Sequence, residues 1–77
     1  MAAQNGYSSH VVLCLLIGGM RLSLSHVGPS GLVVRDDCEP MPSGSAEIEI
    51  TVDDSVKVHK VFLPHGVPGA RQPIQFF

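Results

Sequence analysis

The chain reads as an all-β domain, a small five- to six-stranded antiparallel barrel or sandwich built on hairpins 11-25 and 46-63. Three observations predict it. Apolar and polar residues alternate strictly over Met20–Ser25 and Ala46–Val52, which sends successive side chains to opposite faces of a strand. Clusters of Gly, Pro, Asp and Ser punctuate the chain about every ten residues, the spacing of small sandwiches and barrels. No segment sustains a 3.6-residue apolar period with caps at its ends, so helix is not expected beyond one turn.

The first predicted strand is Val11–Ile17, seven consecutive apolar residues closed by Gly18-Gly19. Its length and branched side chains favour a strand buried on both faces over a helix. Gly18-Gly19 is a two-residue hairpin signal, because both central positions of a type I′ turn need positive φ. Met20–Ser25 then alternates, with Met20, Leu22 and Leu24 on one face and Arg21, Ser23 and Ser25 on the other. Gly28-Pro29-Ser30-Gly31 marks a turn, and Leu32–Arg35 a short third strand. Asp36–Ser45 holds two prolines, three acids and a glycine and reads as a connecting loop.

The second hairpin follows. Ala46, Ile48, Ile50 and Val52 share one face, Asp53-Asp54-Ser55 reads as a three-residue turn, and Val56–Leu63 returns. That turn length sets Val52 opposite Val56 and Ile50 opposite Val58 on the buried face, with Thr51 meeting Lys57 and Glu49 meeting His59 on the wet one. One step on, Ile48 would meet Lys60, so a β-bulge is expected at His59-Lys60 to restore Ile48 to Val61 and Ala46 to Leu63. Pro64–Pro73 is expected as a surface loop, and Ile74–Phe77 as a last short strand. Residues 1–9 are small and polar, and are expected to be disordered, leaving 10–77 as a single domain.

At 77 residues, 44% apolar and 16% charged, the chain is too hydrophobic for a disordered tail. It is also short enough that its core is marginal. A formal charge of −2 argues against a nucleic-acid module, which carries a basic excess. The seven-residue run Val11–Ile17 falls far short of the ~20 residues of a transmembrane helix. No Lys or Arg occurs in residues 2–20 to make the n-region of a signal peptide. Cys14 in an apolar run and Cys38 among Asp36, Asp37 and Glu39 suggest free thiols and hence a cytoplasmic setting. The acids around Cys38 oppose the thiolate, so it is a poor nucleophile.

The residues that could carry chemistry do not fall into catalytic patterns. The four histidines and two cysteines include no C-x-x-C or H-x-x-x-H pair, the spacing that zinc sites use. His10 and Cys14 would lie ~13 Å apart on a strand, too far to share one ion. Eight serines include no G-x-S-x-G elbow. The glycine pairs precede no helix that would complete a phosphate cradle. The expectation is a protein that is not an enzyme, with no metal and no cofactor.

From Met20 onward the order of features has a familiar look: Met20–Val27, Gly28-Pro29-Ser30-Gly31, a strand, Met41-Pro42-Ser43-Gly44, an acidic–apolar hairpin, then Leu63-Pro64-His65-Gly66. This order resembles small all-β bacterial domains of unknown function and, more distantly, the C-terminal half of PilZ domains. Those are six-stranded barrels that bind cyclic di-GMP through an R-x-x-x-R pair and a D-x-S-x-x-G motif. In the matching stretch His26-Val27-Gly28-Pro29-Ser30-Gly31 the final glycine agrees; His26 replaces the Asp, Gly28 replaces the Ser, and the arginine pair is absent. The resemblance implies a barrel whose anionic ligand would meet Arg21, Arg35, His26 and Gly31.

Composition itself points to association. A strand with no polar face needs cover on both sides, and a thin domain can find it in a second copy. Val11, Leu13, Leu15 and Ile17 are therefore the expected self-association surface, the alternative being a strand buried in the chain's own core. The expected partner is a second copy or an unidentified protein, with no nucleic acid and no membrane. The expected function is a binding or self-association module, the alternative being a PilZ-like barrel for a nucleotide second messenger.

Overall fold

The computed structural model describes residues 10–77, so the expectation for residues 1–9 lies outside the described part. Six strands carry it: β1 (Val11–Ile17), β2 (Met20–Val27), β3 (Gly31–Val34), β4 (Gly44–Val52), β5 (Ser55–Leu63) and β6 (Pro73–Gln75). They form one antiparallel sheet in the order β5-β4-β1-β2-β3-β6, curled into a half-barrel, with no helix among the described residues. The all-β class and both hairpins stand as the sequence predicts.

The β1–β2 turn follows from its glycines. Gly18 has φ 59° and Gly19 φ 79°, both in the left-handed region that a type I′ turn requires. Ile17 pairs with Met20 across it, and Leu15 with Leu22. On its other side β1 pairs with β4, placing Leu15 opposite Ile48 and Leu13 opposite Ile50. Directly opposed residues share a face, so Leu13, Leu15 and Ile17 meet the inward residues of β2 and β4. The core gathers Leu15, Leu22, Leu24, Leu32, Val34 and Ile48 with Leu63, Val67 and Ile74. Each such leucine or isoleucine contributes about 1.5–3 kcal/mol by leaving water.

Thus β1 finds its inner cover within its own chain. Leu15 and Ile17, expected on a self-association surface, are buried in this core. Leu13 is half-buried against it, and Val11 stays exposed at the strand's start. On the outer face Cys14 is buried outside the core cluster, while Val12 is exposed.

The β4–β5 hairpin departs from the expected register. Its loop has two residues, since Val52 pairs with Ser55. Asp53 takes φ 54°, a left-handed conformation that Asp tolerates better than most residues. The N–H of Asp53 donates to the His10 carbonyl, and its side chain accepts from the His10 N–H. The shorter loop shifts every β5 partner: Thr51 faces Val56, Glu49 faces Val58, Ile48 faces His59 and Ala46 faces Val61. The ladder runs unbroken to Leu63, so no bulge forms at His59-Lys60. Val56 and Val58 consequently point outward, 57% and 49% exposed.

The bulge lies on β2 instead. Leu24 pairs with Val34 and His26 with Val33, which leaves Ser25 as the extra residue. It lets Ser25 and His26 both avoid the core before Val27 returns to pair with Leu32, and a bulge of this kind bends its strand.

The segment 64–73 is likewise more than a surface loop. Val67 is fully buried and exchanges backbone hydrogen bonds with Met41 at 2.8 and 2.9 Å. Gly66 and Gly69 are buried beside it. The tie between these two loops plugs the end of the half-barrel where β5 finishes.

Candidate functional site

The sheet's two edges face each other across a seam. Phe77 follows β6 and exchanges both backbone hydrogen bonds with Phe62 of β5, 2.9 Å each. From there toward the β4–β5 turn no further backbone hydrogen bond crosses the seam among the described residues. In a two-residue hairpin the closing pair is hydrogen-bonded and every second pair thereafter. Starting from Val52–Ser55, residues 57, 59, 61 and 63 therefore bond to β4. Val56, Val58 and Lys60 turn their N–H and C=O groups outward, as Phe62 does toward Phe77. Among the described residues those groups have no backbone partner. They form a free edge ~13 Å long, taken from the strand rise.

Beside this edge lies a cleft of about 360 Å³, floored by Ile48, Ile50 and Val61 and walled by Val27, Pro29 and Phe76. His59 and Lys60 stand at its β5 rim. Its lining is mostly apolar, with few convergent polar groups, which suits an apolar side chain rather than a reacting substrate. On the outer face of the same strand Val56, Val58 and Phe62 form an exposed apolar row, interrupted by Lys60.

The four residues that the PilZ resemblance singles out do not converge. Arg35 donates its N–H to the Ser23 carbonyl at 2.8 Å, so it sits across from Ser23 on β2. Arg21, two residues before Ser23 on the same face, is its diagonal neighbour, ~7–8 Å away in an ordinary sheet. His26 and Gly31 lie at the opposite ends of β2 and β3, on the far side of the bulge. Arg21 is also engaged: it forms an ion pair with Glu49. The hydrogen bond to Glu49 raises its already high pKa, with nearby Cys14 a smaller contributor. The pair spans the outer face above Cys14, which the register sets beside Glu49 and Ser23.

A larger and more open hollow of about 700 Å³ lies at the β1–β2 turn, among Leu16, Gly19, Arg21, Glu47 and Lys60. Its cations and acid alternate around the rim, so it presents no field of one sign. Arg71 pairs with Asp37 at 2.7 Å and donates to the Arg35 carbonyl at 3.3 Å, tying two loops together. Among the described residues no group of three His, Cys, Asp or Glu side chains is placed to hold a metal. No described helix is long and apolar enough to cross a membrane. Cys14 and Cys38 are both free thiols.

The seam is the feature that residue-by-residue reading misses. Its signal in the sequence is the cationic, valine-rich run Val56-Lys57-Val58-His59-Lys60, whose apolar residues have no assigned cover once the loop is shortened to two. Comparison with protein-family models, curated proteins and solved structures returns no match to this chain.

Proposed function

We propose that this domain is a binding module that receives an extended peptide strand along the free edge of β5. The observation that carries the reading is the unpaired edge at Val56, Val58 and Lys60 running beside an apolar cleft. Main-chain hydrogen bonds to such an edge supply affinity, and pockets for alternate side chains supply selectivity. A strand laid here would fill the gap between β5 and the Gly28–Pro29 turn, and its inward side chains would cover Ile48, Ile50 and Val61. The partner is a segment of another protein. The nucleotide reading has less support, because Arg21 is committed to Glu49 and stands apart from His26 and Gly31.

The test is amide exchange followed residue by residue while nonapeptides of high strand propensity are added, in acidic, neutral and basic versions. Protection of the Val56, Val58 and Lys60 amides by any of them, with the β4 amides unchanged, is the expected result. The reading fails if none protects those amides at millimolar concentration. Sedimentation of the chain alone should give a monomer at micromolar concentration. A dimer that protects the same amides would replace the foreign strand with a second copy.

A further inference from the structure

Resting on that reading, we infer the chemistry of the strand that fits: an antiparallel segment with apolar residues on its inner face and a carboxylate on its outer face opposite Lys60. Phe77 sets the orientation. It approaches β5 antiparallel and occupies the edge position opposite Phe62, so a strand along the rest of the edge continues that geometry.

Orientation and register then assign each position a face. A residue opposite Val61 drops toward the cleft floor of Ile48 and Ile50, and residues opposite His59 and Lys57 follow on the same inner side. The residue opposite Lys60 lies on the outer face beside an ammonium, and the one opposite Val58 beside an exposed valine.

The charge of the edge selects the sign. From Ser55 to Leu63, β5 holds two lysines and a histidine and no acid, and of these Lys60 alone points to the outer face. Among the described residues neither lysine is within 4 Å of a carboxylate, the two ion pairs being Arg21–Glu49 and Arg71–Asp37. A second β5 brings no compensating charge; in the register centred on Val58 it would set Lys57 against His59 of the other copy. Lysines on an open edge discourage like strands from pairing, and a carboxylate directly opposite a cation removes that penalty.

The chain already contains one solution. On its other side β5 pairs antiparallel with Ala46-Glu47-Ile48-Glu49-Ile50-Thr51. There Glu47 opposes Lys60, while Ala46, Ile48 and Ile50 face the core side. The same face assignment applies on the free side, so β4 is itself a template for the partner.

The experiment titrates the full chain with a synthetic peptide of residues 46–52, which stops short of the position Phe77 holds, and with its Glu47→Gln/Glu49→Gln and Glu47→Lys/Glu49→Lys versions. The readout is amide exchange and chemical shift at Val56, Val58 and Lys60. The acidic peptide should bind tightest, about fivefold or more above the basic one. Raising salt should narrow the gap, because surface charges are screened. Lys60→Glu should invert the order, favouring the basic peptide. Val58→Pro removes an outward N–H while sparing the β4 ladder, and should weaken all three. Equal binding of the three peptides, or an order unmoved by Lys60→Glu, overturns the charge inference and leaves strand addition standing. Binding by none overturns both.

Discussion

Phe77 and Phe62 hold the two edges of the sheet together by exchanging both backbone hydrogen bonds at 2.9 Å, while the Phe77 ring stays 72% exposed. The closure is main-chain work. Phe77→Ala should therefore change stability by no more than about 0.5 kcal/mol. Phe76 packs half-buried against the core, and Phe76→Ala should cost about 2 kcal/mol, less than a fully buried phenylalanine. Urea denaturation compares them; a larger cost for Phe77→Ala would mean that the ring closes the seam.

The β5 register is open to a simple mutational test. Val58 faces outward at 49% exposure, so Val58→Thr should shift stability by less than about 0.5 kcal/mol, valine and threonine both suiting a strand. Leu15 is fully buried, and Leu15→Ala should cost about 3 kcal/mol through lost contacts and the cavity left behind. Chemical denaturation of the two variants reads this directly. A cost of 1 kcal/mol or more for Val58→Thr, about the cost of burying a hydroxyl, would place Val58 in the core, as a three-residue loop would have it.

Gly66 and Gly44 should respond oppositely to the same change. At Gly66 the backbone is left-handed, φ 65°, and an added Cβ would overlap the Met41 carbonyl oxygen and stand 2.6 Å from the Pro42 carbonyl carbon. Gly66→Ala should break the Met41–Val67 tie and cost about 3 kcal/mol or more, strain and clash adding to the ordinary penalty. At Gly44 nothing lies within 4 Å of the new atom, and alanine there should stabilise by about 0.5 kcal/mol, since glycine is poor in a strand. Thermal unfolding distinguishes them, and equal behaviour would contradict the plug.

Cys14 provides a kinetic probe of the outer face. It is 4% exposed and lies beneath the Arg21–Glu49 pair, whereas Cys38 is half-buried in a loop. A disulfide-exchange reagent should label Cys38 first and Cys14 slowly. Arg21→Ala should speed Cys14 labelling severalfold with little effect on Cys38, because burial rather than thiolate chemistry limits it. Unchanged Cys14 labelling would show that the strands alone shield it.

Two details of the fold are written in breaks of the chain's apolar–polar alternation. Ser25-His26 is a polar doublet between inward Leu24 and inward Val27, and a doublet that breaks alternation is the mark of a bulge. The β5 strand also breaks alternation, and there the break has a different meaning. Its apolar residues fall on even positions at Val56, Val58 and Phe62 and on odd positions at Val61 and Leu63. A bulge at His59-Lys60 would bury the four aliphatic ones together; a regular strand turns the even set one way and the odd set the other. The observed strand is regular.

By itself, then, the sequence determined the all-β class, the Gly18-Gly19 turn and the inward sets of β2 and β4. Those features are local: a period of two chooses a face, and a glycine pair supplies the φ that a tight turn needs. It also marked Val11–Ile17 as needing cover on both sides, and left open whether a second copy or the chain's own core would supply it; the core supplies the inner cover. Tertiary structure decided the β5 register, the burial of Val67 and the seam. Each depends on a contact or conformation that pattern cannot rank, namely the left-handed Asp53, the Met41–Val67 exchange and the meeting of Phe62 with Phe77. Where a strand's own pattern favours neither face, the length of its turn sets which residues are buried. Here that choice turns Val56 and Val58 outward, on an edge that is unpaired among the described residues and runs beside an apolar cleft.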